Sequence, residues 1–284
     1  MIILSNEKTS ELASELADTT SHKLGKIEKK TFPDGELYVR ILTDVANQDV
    51  AVISTTQSNE DLIELLLTLS ALKDNGVKKI LCVLPYMAYS RQDHAFLPGE
   101  AISAKTVLTL ISAYADKIAT INAHFFEEPG KQDFMGIEVE NLDAFILLAK
   151  HFKSLSDSLL IAPDEGAMHY ARIAAKEIGC DYDHLIKKRL SGELVEMQPK
   201  ELDINGKSII ILDDIISTGG TMVKASEKLK ESGAKDVHIG AVHGVFSKGI
   251  KMFSGLDVVS TNTIKNPLAK VSVAPIIAEF LSRN

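Results

Sequence analysis

An α/β protein with mostly parallel sheets is predicted from three observations. Short apolar runs alternate with amphipathic stretches almost throughout the chain. The runs are rich in Val, Ile and Leu, as strands buried on both faces require, and the stretches between them are long enough for crossover helices. At 284 residues, with 45% hydrophobic and 25% charged residues, the composition is that of a soluble globular protein, and the length suits two domains of ordinary size.

Taken in order, Met1-Ile2-Ile3-Leu4-Ser5 is a short strand rather than a signal peptide, because it lacks a basic start and a cleavage region. A strand at 37–41 follows the turn Phe32-Pro33-Asp34-Gly35-Glu36. Strands at 50–54 and 79–84 flank a helix near 60–74, and a helix near 101–115 feeds a strand at 117–121. In the second half, strands at 159–162, 208–212, 237–242 and 258–261 alternate with helices near 167–178 and 221–232. A faint repeat links Lys73-Asp74-Asn75-Gly76-Val77-Lys78-Lys79-Ile80 to Lys230-Glu231-Ser232-Gly233-Ala234-Lys235-Asp236-Val237. Two βαβ units alike through shared physics and a duplicated domain explain it equally well. The boundary falls near 139–143, giving domains 1–141 and 142–284. No Pro-rich or low-complexity linker separates them, so they are expected to pack together rather than hang on a tether.

The net charge of −8 disfavours general nucleic-acid binding through a basic surface, so the cations that matter must act locally. No apolar run approaches membrane-spanning length. Cys82 and Cys180 lie in apolar or small-residue contexts. That fits a reducing compartment without a disulfide framework, and a cytoplasmic location is expected.

Chemistry concentrates in Asp213-Asp214-Ile215-Ile216-Ser217-Thr218-Gly219-Gly220-Thr221, between a strand and a helix. Glycines let successive amide N–H groups converge, and the helix start adds partial positive charge, so Ser217 to Thr221 form a seat for a phosphate. Asp213 and Asp214 can accept hydrogen bonds from vicinal hydroxyls, which makes the strand end a seat for a sugar phosphate. A doubled Asp, a doubled Gly and three hydroxyl residues exceed what helix capping needs.

Other segments are less specific. Pro33-Asp34-Gly35 signals a turn, and Phe32 with Asp34 and Glu36 could also stack on a base and accept its amine. Arg91, Gln92 and Asp93 follow the strand ending at Leu84, on the edge where ligands bind α/β sheets; they could contact a polyphosphate or lie on a solvated loop. His124 and Asp164 follow strands on the same edge, where they could hold a hard cation or its outer shell. Lys187-Lys188-Arg189 precedes a Gly-containing loop and is either surface charge or a set of cations for phosphoryl transfer. A P-loop, a Gly-x-Gly-x-x-Gly fingerprint, a Gly-x-Ser-x-Gly elbow and paired Cys-x-x-Cys sites are all missing from the sequence.

The acidic pair with Thr218-Gly219-Gly220-Thr221 resembles the phosphoribosyl-diphosphate motif of type I phosphoribosyltransferases. Adding Phe32 to Glu36, Arg91-Gln92-Asp93, His124, Asp164 and Lys187-x-Arg189, in that order on a duplicated chain, the whole resembles the ribose-phosphate pyrophosphokinase family over nearly its full length. The short, non-basic segment after Asp93 is similar to that of archaeal members. The resemblance implies two tandem type I phosphoribosyltransferase-like domains, 1–141 for ATP and oligomer contacts and 142–284 for ribose 5-phosphate, with ATP between them. It implies a Mg²⁺-dependent kinase of nucleotide biosynthesis that moves the β,γ-diphosphoryl group of ATP to the C1 hydroxyl of ribose 5-phosphate, releasing AMP.

By the same resemblance, Phe32, Asp34, Gly35, Glu36, Arg91, Gln92 and Asp93 bind ATP, and Lys187 and Arg189 stabilise the transferring group from a mobile loop. Arg189, Asp213, Asp214, Ser217, Thr218, Gly219, Gly220 and Thr221 take ribose 5-phosphate, and His124 and Asp164 are the Mg²⁺-associated residues. The turn at Phe32 serves a neighbouring subunit, so a homo-oligomer of at least two chains is implied, with no nucleic-acid or membrane partner. Ser217 stands where many members carry Asp. A nucleobase phosphoribosyltransferase shares the glycine motif but has no use for Phe32 to Glu36 or Arg91-Gln92; a non-catalytic regulatory subunit differs in lacking turnover.

Overall fold

Each apolar run becomes a strand shielded by helices. A computed structural model describes residues 1–163, 165–191, 194–199 and 203–284, with side chains outside the described set at 186–191 and 194–199. Its first half contains β1 (Ile2–Ser5), α1 (Ser10–Thr20), β2 (Lys23–Leu24), β3 (Ile27–Thr31), β4 (Leu37–Ile41), β5 (Asp49–Ile53), α2 (Asn59–Asp74), β6 (Lys79–Leu84), α3 (Ser103–Ser112), β7 (Lys117–Ile121), β8 (Gly130–Phe134) and β9 (Ile137–Leu142). There follow α4 (Phe145–Phe152), β10 (Ser158–Ala162), α5 (Met168–Ile178), β11 (Asp181–Ser191), β12 (Leu194–Pro199), β13 (Ser208–Ile216), α6 (Gly220–Glu231), β14 (Asp236–Gly244), β15 (Asp257–Thr261), β16 (Ala269–Val271) and α7 (Ala274–Ser282).

The chain forms two compact units, 1–143 with 263–265 and 272–284, and 144–262 with 266–271. This differs from a second domain running over 142–284. The reason is apolar: Ile277 and Phe280 of α7 are fully buried, and α7 packs against α1 of the first unit.

The first unit holds a seven-stranded sheet, β2-β1-β5-β6-β7-β9-β8, parallel except for the β8–β9 pair. Strands β3 and β4 form a separate antiparallel hairpin. Helix α2 presents Leu62, Leu65, Leu69 and Leu72 as one buried stripe, the helical spacing that faces a sheet. Truncating a fully buried member such as Leu69 to Ala would cost about 2–5 kcal/mol.

The second unit repeats the plan with β12-β11-β10-β13-β14-β15-β16, parallel except for β11–β12. Helix α5 buries Ala171, Ala174 and Ala175, small residues that let it approach closely, and Tyr170 stacks on Phe145 with ring centroids 4.5 Å apart. Glycine ends α5: Gly179 adopts φ +86° in the left-handed region.

The sequence repeat extends into the hydrogen bonding. Asn47 N donates to Gly76 O and Gly206 N to Gly233 O, both at 2.9 Å; Lys78 N donates to Gln48 O and Lys235 N to Lys207 O, again both at 2.9 Å. Thus β5–α2–β6 and β13–α6–β14 share their joints as well as their topology, as a duplicated unit would.

Two local expectations change. The strand at 208–212 continues through the acidic pair to Ile216, because β14 runs alongside it as far as Ile215↔His243 and Ile216↔Gly244. Lys187 and Arg189 were expected on a loop; their backbone lies in β11, opposite Met197 and Val195 of β12, because the two strands close an antiparallel hairpin. The cysteines are free thiols. Cys82 is fully buried and its pKa is pushed up to about 12 by desolvation, so it serves packing rather than reaction.

Candidate functional site

The connection from β13 to α6 is built from its carbonyl side. Val245 N and Phe246 N donate to Ile216 O at 3.0 and 3.2 Å, and Ser247 N to Ser217 O at 2.9 Å. Gly219 then turns the chain at φ +86°, and a Cβ there would lie 2.2 Å from Phe253 Cζ; conformation and packing both require glycine. At Gly220 a Cβ would meet nothing within 4 Å. No side chain caps α6, so its first-turn N–H groups have no capping oxygen and carry the positive end of the helix dipole. Ser217 is half-buried, while Thr218 and Thr221 are exposed with hydroxyls to add. Asp213 and Asp214 are half-buried just before the turn, and Asp214 N donates to Asp213 Oδ1 at 2.9 Å. Hydroxyls, amides and open space thus adjoin two carboxylates, which suits a phosphate next to a diol.

The counterpart in the first unit is closed. Between β5 and α2, Ser58 caps the helix in a reciprocal box with Asp61. Asp61 Oδ2 accepts from Gln57 N at 2.9 Å, Ser58 N at 2.7 Å and Lys8 Nζ at 2.6 Å. Burial disfavours charge on this carboxyl, but the bonds from Lys8 and Ser58 outweigh it and hold its pKa below the usual range. A carboxylate of the chain itself occupies the place an anion would take.

Phe32, Asp34, Gly35 and Glu36 lie together on the turn of the β3–β4 hairpin, all exposed. Phe32 N donates to Glu36 O at 2.8 Å and Gly35 N to Phe32 O at 2.9 Å, with Gly35 at φ +94°. Glu36 N donates to Asp34 Oδ1 at 3.2 Å. Phe32 is 48% exposed, an aromatic face that gains nothing in water and is available to a base. Nothing in the turn signal itself marks the anchor beneath it: Lys29 Nζ lies 2.9 Å from Glu60 Oε1 and 2.8 Å from Glu64 Oε2.

Arg91, Gln92 and Asp93 share the loop after β6. Arg91 is exposed, with no ion pair among the described residues. Gln92 Nε2 donates to His94 O at 3.1 Å and to Glu100 Oε2 at 3.3 Å, and Asp93 Oδ1 lies 2.7 Å from His94 Nδ1. Glu100 Oε2 also accepts from Phe96 N and Leu97 N at 2.8 and 3.0 Å, folding the loop about one carboxylate. No motif in the sequence points to Glu100. Asp61, by contrast, is marked by Ser58-x-x-Asp61, a capping signature.

His124 is exposed beyond β7, where Ala123 N donates to Asn141 Oδ1 at 3.0 Å. Asp164 and the side chains of Lys187 and Arg189 lie outside the described residues. The structure therefore gathers 213–221 on one connection, 32–36 on one turn and 91–93 on one loop, with His124 on an element of its own.

Residues 1–114 match the family model described as the N-terminal domain of ribose phosphate pyrophosphokinase, and residues 138–270 match the phosphoribosyl transferase domain. The chain is 39% identical to the ribose-phosphate pyrophosphokinase of Methanopyrus kandleri, covering 98% of each. It is 41% identical to that of Pyrococcus furiosus over 90% of this chain and 92% of the relative. Among solved structures it resembles the phosphoribosylpyrophosphate synthetase of Mycobacterium smegmatis, with a TM-score of 0.85 at 29% identity, covering 99% of this chain and 97% of that one.

Proposed function

The chain belongs to the ribose-phosphate pyrophosphokinase family, and we propose on that footing how its residues divide the transfer of a diphosphoryl group from ATP to ribose 5-phosphate. The observation that carries the reading is the open, uncapped start of α6 beside Asp213 and Asp214, set against the closed start of α2. The N–H and hydroxyl groups of Ser217 to Thr221 hold the 5-phosphate, and Asp213 and Asp214 accept from the ribose hydroxyls. Phe32 stacks on adenine while Asp34 and Glu36 accept from its amine, and Arg91, Gln92 and Asp93 engage the rest of the nucleotide.

In the reaction the C1 hydroxyl oxygen attacks the β-phosphorus in line. The bond from that phosphorus to the oxygen bridging the α-phosphate breaks, AMP leaves with the electron pair, and the hydroxyl proton passes to solvent. Such a displacement needs positioning and charge neutralisation more than a strong base. Neutralising the charge of the transferring group is the role given to Lys187 and Arg189, and loss of one such donor commonly costs ~10²–10³ in turnover.

The donor set suits an ion delivered with the phosphates. Mg²⁺ typically takes only one or two protein ligands alongside waters and substrate phosphates. His124 and Asp164 would hold it, directly or through water, and it would offset the triphosphate charge.

We also propose a homo-oligomer of at least two chains. The ground is the exposed turn at Phe32, which the family resemblance assigns to the ATP of a neighbouring subunit. A fully active monomer in sedimentation would contradict this. No described helix is long and apolar enough to cross a membrane; the cytoplasm is the location the reading favours.

The test is product identity. Purified chain, Mg²⁺, ATP and ribose 5-phosphate should yield AMP in step with a ribosyl diphosphate. ADP would mean single-phosphoryl transfer, and no turnover with ATP still bound would favour a regulatory subunit.

A further inference from the structure

The β3–β4 hairpin stands apart from the seven-stranded sheet, and an isolated hairpin is only marginally stable in water. What it packs on must therefore set its direction. Strand β4 lies along α2, and Ile27 and Ile41 rest on the apolar core. Apolar contact is non-directional; it holds the hairpin down without fixing where its tip points. Lys29 supplies the direction. It stands three residues before Phe32 and its ammonium is shared by Glu60 and Glu64, one helical turn apart. The Glu64 side chain is only 7% exposed, a depth at which a carboxylate is costly unless paired. Desolvation opposes the charge on Lys29, but the two carboxylates prevail and raise its pKa above that of an ordinary lysine.

We propose that Lys29 and Glu64 are positioning residues for nucleotide binding: they touch no substrate, but their ion pair aims the Phe32 turn from α2. The inference rests on the reading that this turn takes the adenine of ATP, in whichever subunit that ATP is bound. Glu60 is 57% exposed and adds little, whereas the Lys29–Glu64 pair sets the register of the hairpin on the helix.

Steady-state kinetics on the full chain tests this with Phe32→Ala, Lys29→Met, Lys29→Arg and Glu64→Gln. Phe32→Ala and Lys29→Met should each raise KM for ATP about tenfold while leaving kcat and KM for ribose 5-phosphate within about twofold, the signature of lost ground-state binding. Lys29→Arg should restore the wild-type KM, and adding Lys29→Met to Phe32→Ala should change little, because both act through one turn. Glu64→Gln keeps shape and a hydrogen-bonding oxygen, and decides the matter where Lys29→Met does not fold; it should raise the same KM by a smaller factor. If Phe32→Ala raises KM for ATP but neither Lys29→Met nor Glu64→Gln does, the clamp is wrong and the nucleotide reading stands. Losses spread over kcat and both KM values in step with melting temperature also overturn the clamp. An unchanged KM in Phe32→Ala overturns the nucleotide reading and the clamp with it.

Discussion

Gly219 and Gly220 are adjacent, yet they make opposite demands on a side chain. At Gly219 a methyl group would strike the Phe253 ring and adopt φ +86°, so Gly219→Ala should cost at least about 2 kcal/mol, the left-handed penalty plus overpacking. At Gly220 the backbone tolerates alanine and the space is open. Gly220→Ala should leave stability unchanged or raise it by up to about 1 kcal/mol, while weakening ribose 5-phosphate binding, because its methyl group enters the phosphate seat. Thermal melting with calorimetric titration separates the two effects. Wild-type affinity in Gly220→Ala would place the phosphate elsewhere.

The elements most legible in the sequence were those with a self-contained signal: apolar runs for β5, β6, β7 and β10, the Pro33-Asp34-Gly35 turn, and the glycine-rich start of α6. Those that depend on a distant partner were less so. How far β13 extends is set by β14 alongside it, and the strand at Lys187 to Arg189 is made by pairing with β12 rather than by local apolar pattern. The return of α7 to the first unit is likewise a matter of which apolar face it meets. Asp61 lies between these cases, since its capping signature is local but its pairing with Lys8 is not. Because its folded pKa is depressed, its contribution is fully present above the unfolded carboxyl pKa and is lost as pH falls below about 4 through the folded value. Asp61→Asn should therefore be less stable at pH 7, by about 1–3 kcal/mol, and lose less than wild type on acidification. Parallel melting profiles for the two proteins from pH 7 to pH 3 would contradict that role.

Across the whole molecule, the two sheets share their joints while two corresponding helix starts differ. In one, Asp61 and Lys8 satisfy the helix end from within; in the other, no side chain caps the helix. On the proposed function, ribose 5-phosphate takes one seat, at the start of α6, although the two units share a fold. Calorimetric titration of ribose 5-phosphate into the purified chain, with Asp213→Asn/Asp214→Asn as the comparison, tests this most directly. One site per chain is expected in the wild type, with loss of that site in the double variant. Two sites per chain, or one site indifferent to both substitutions, would contradict it.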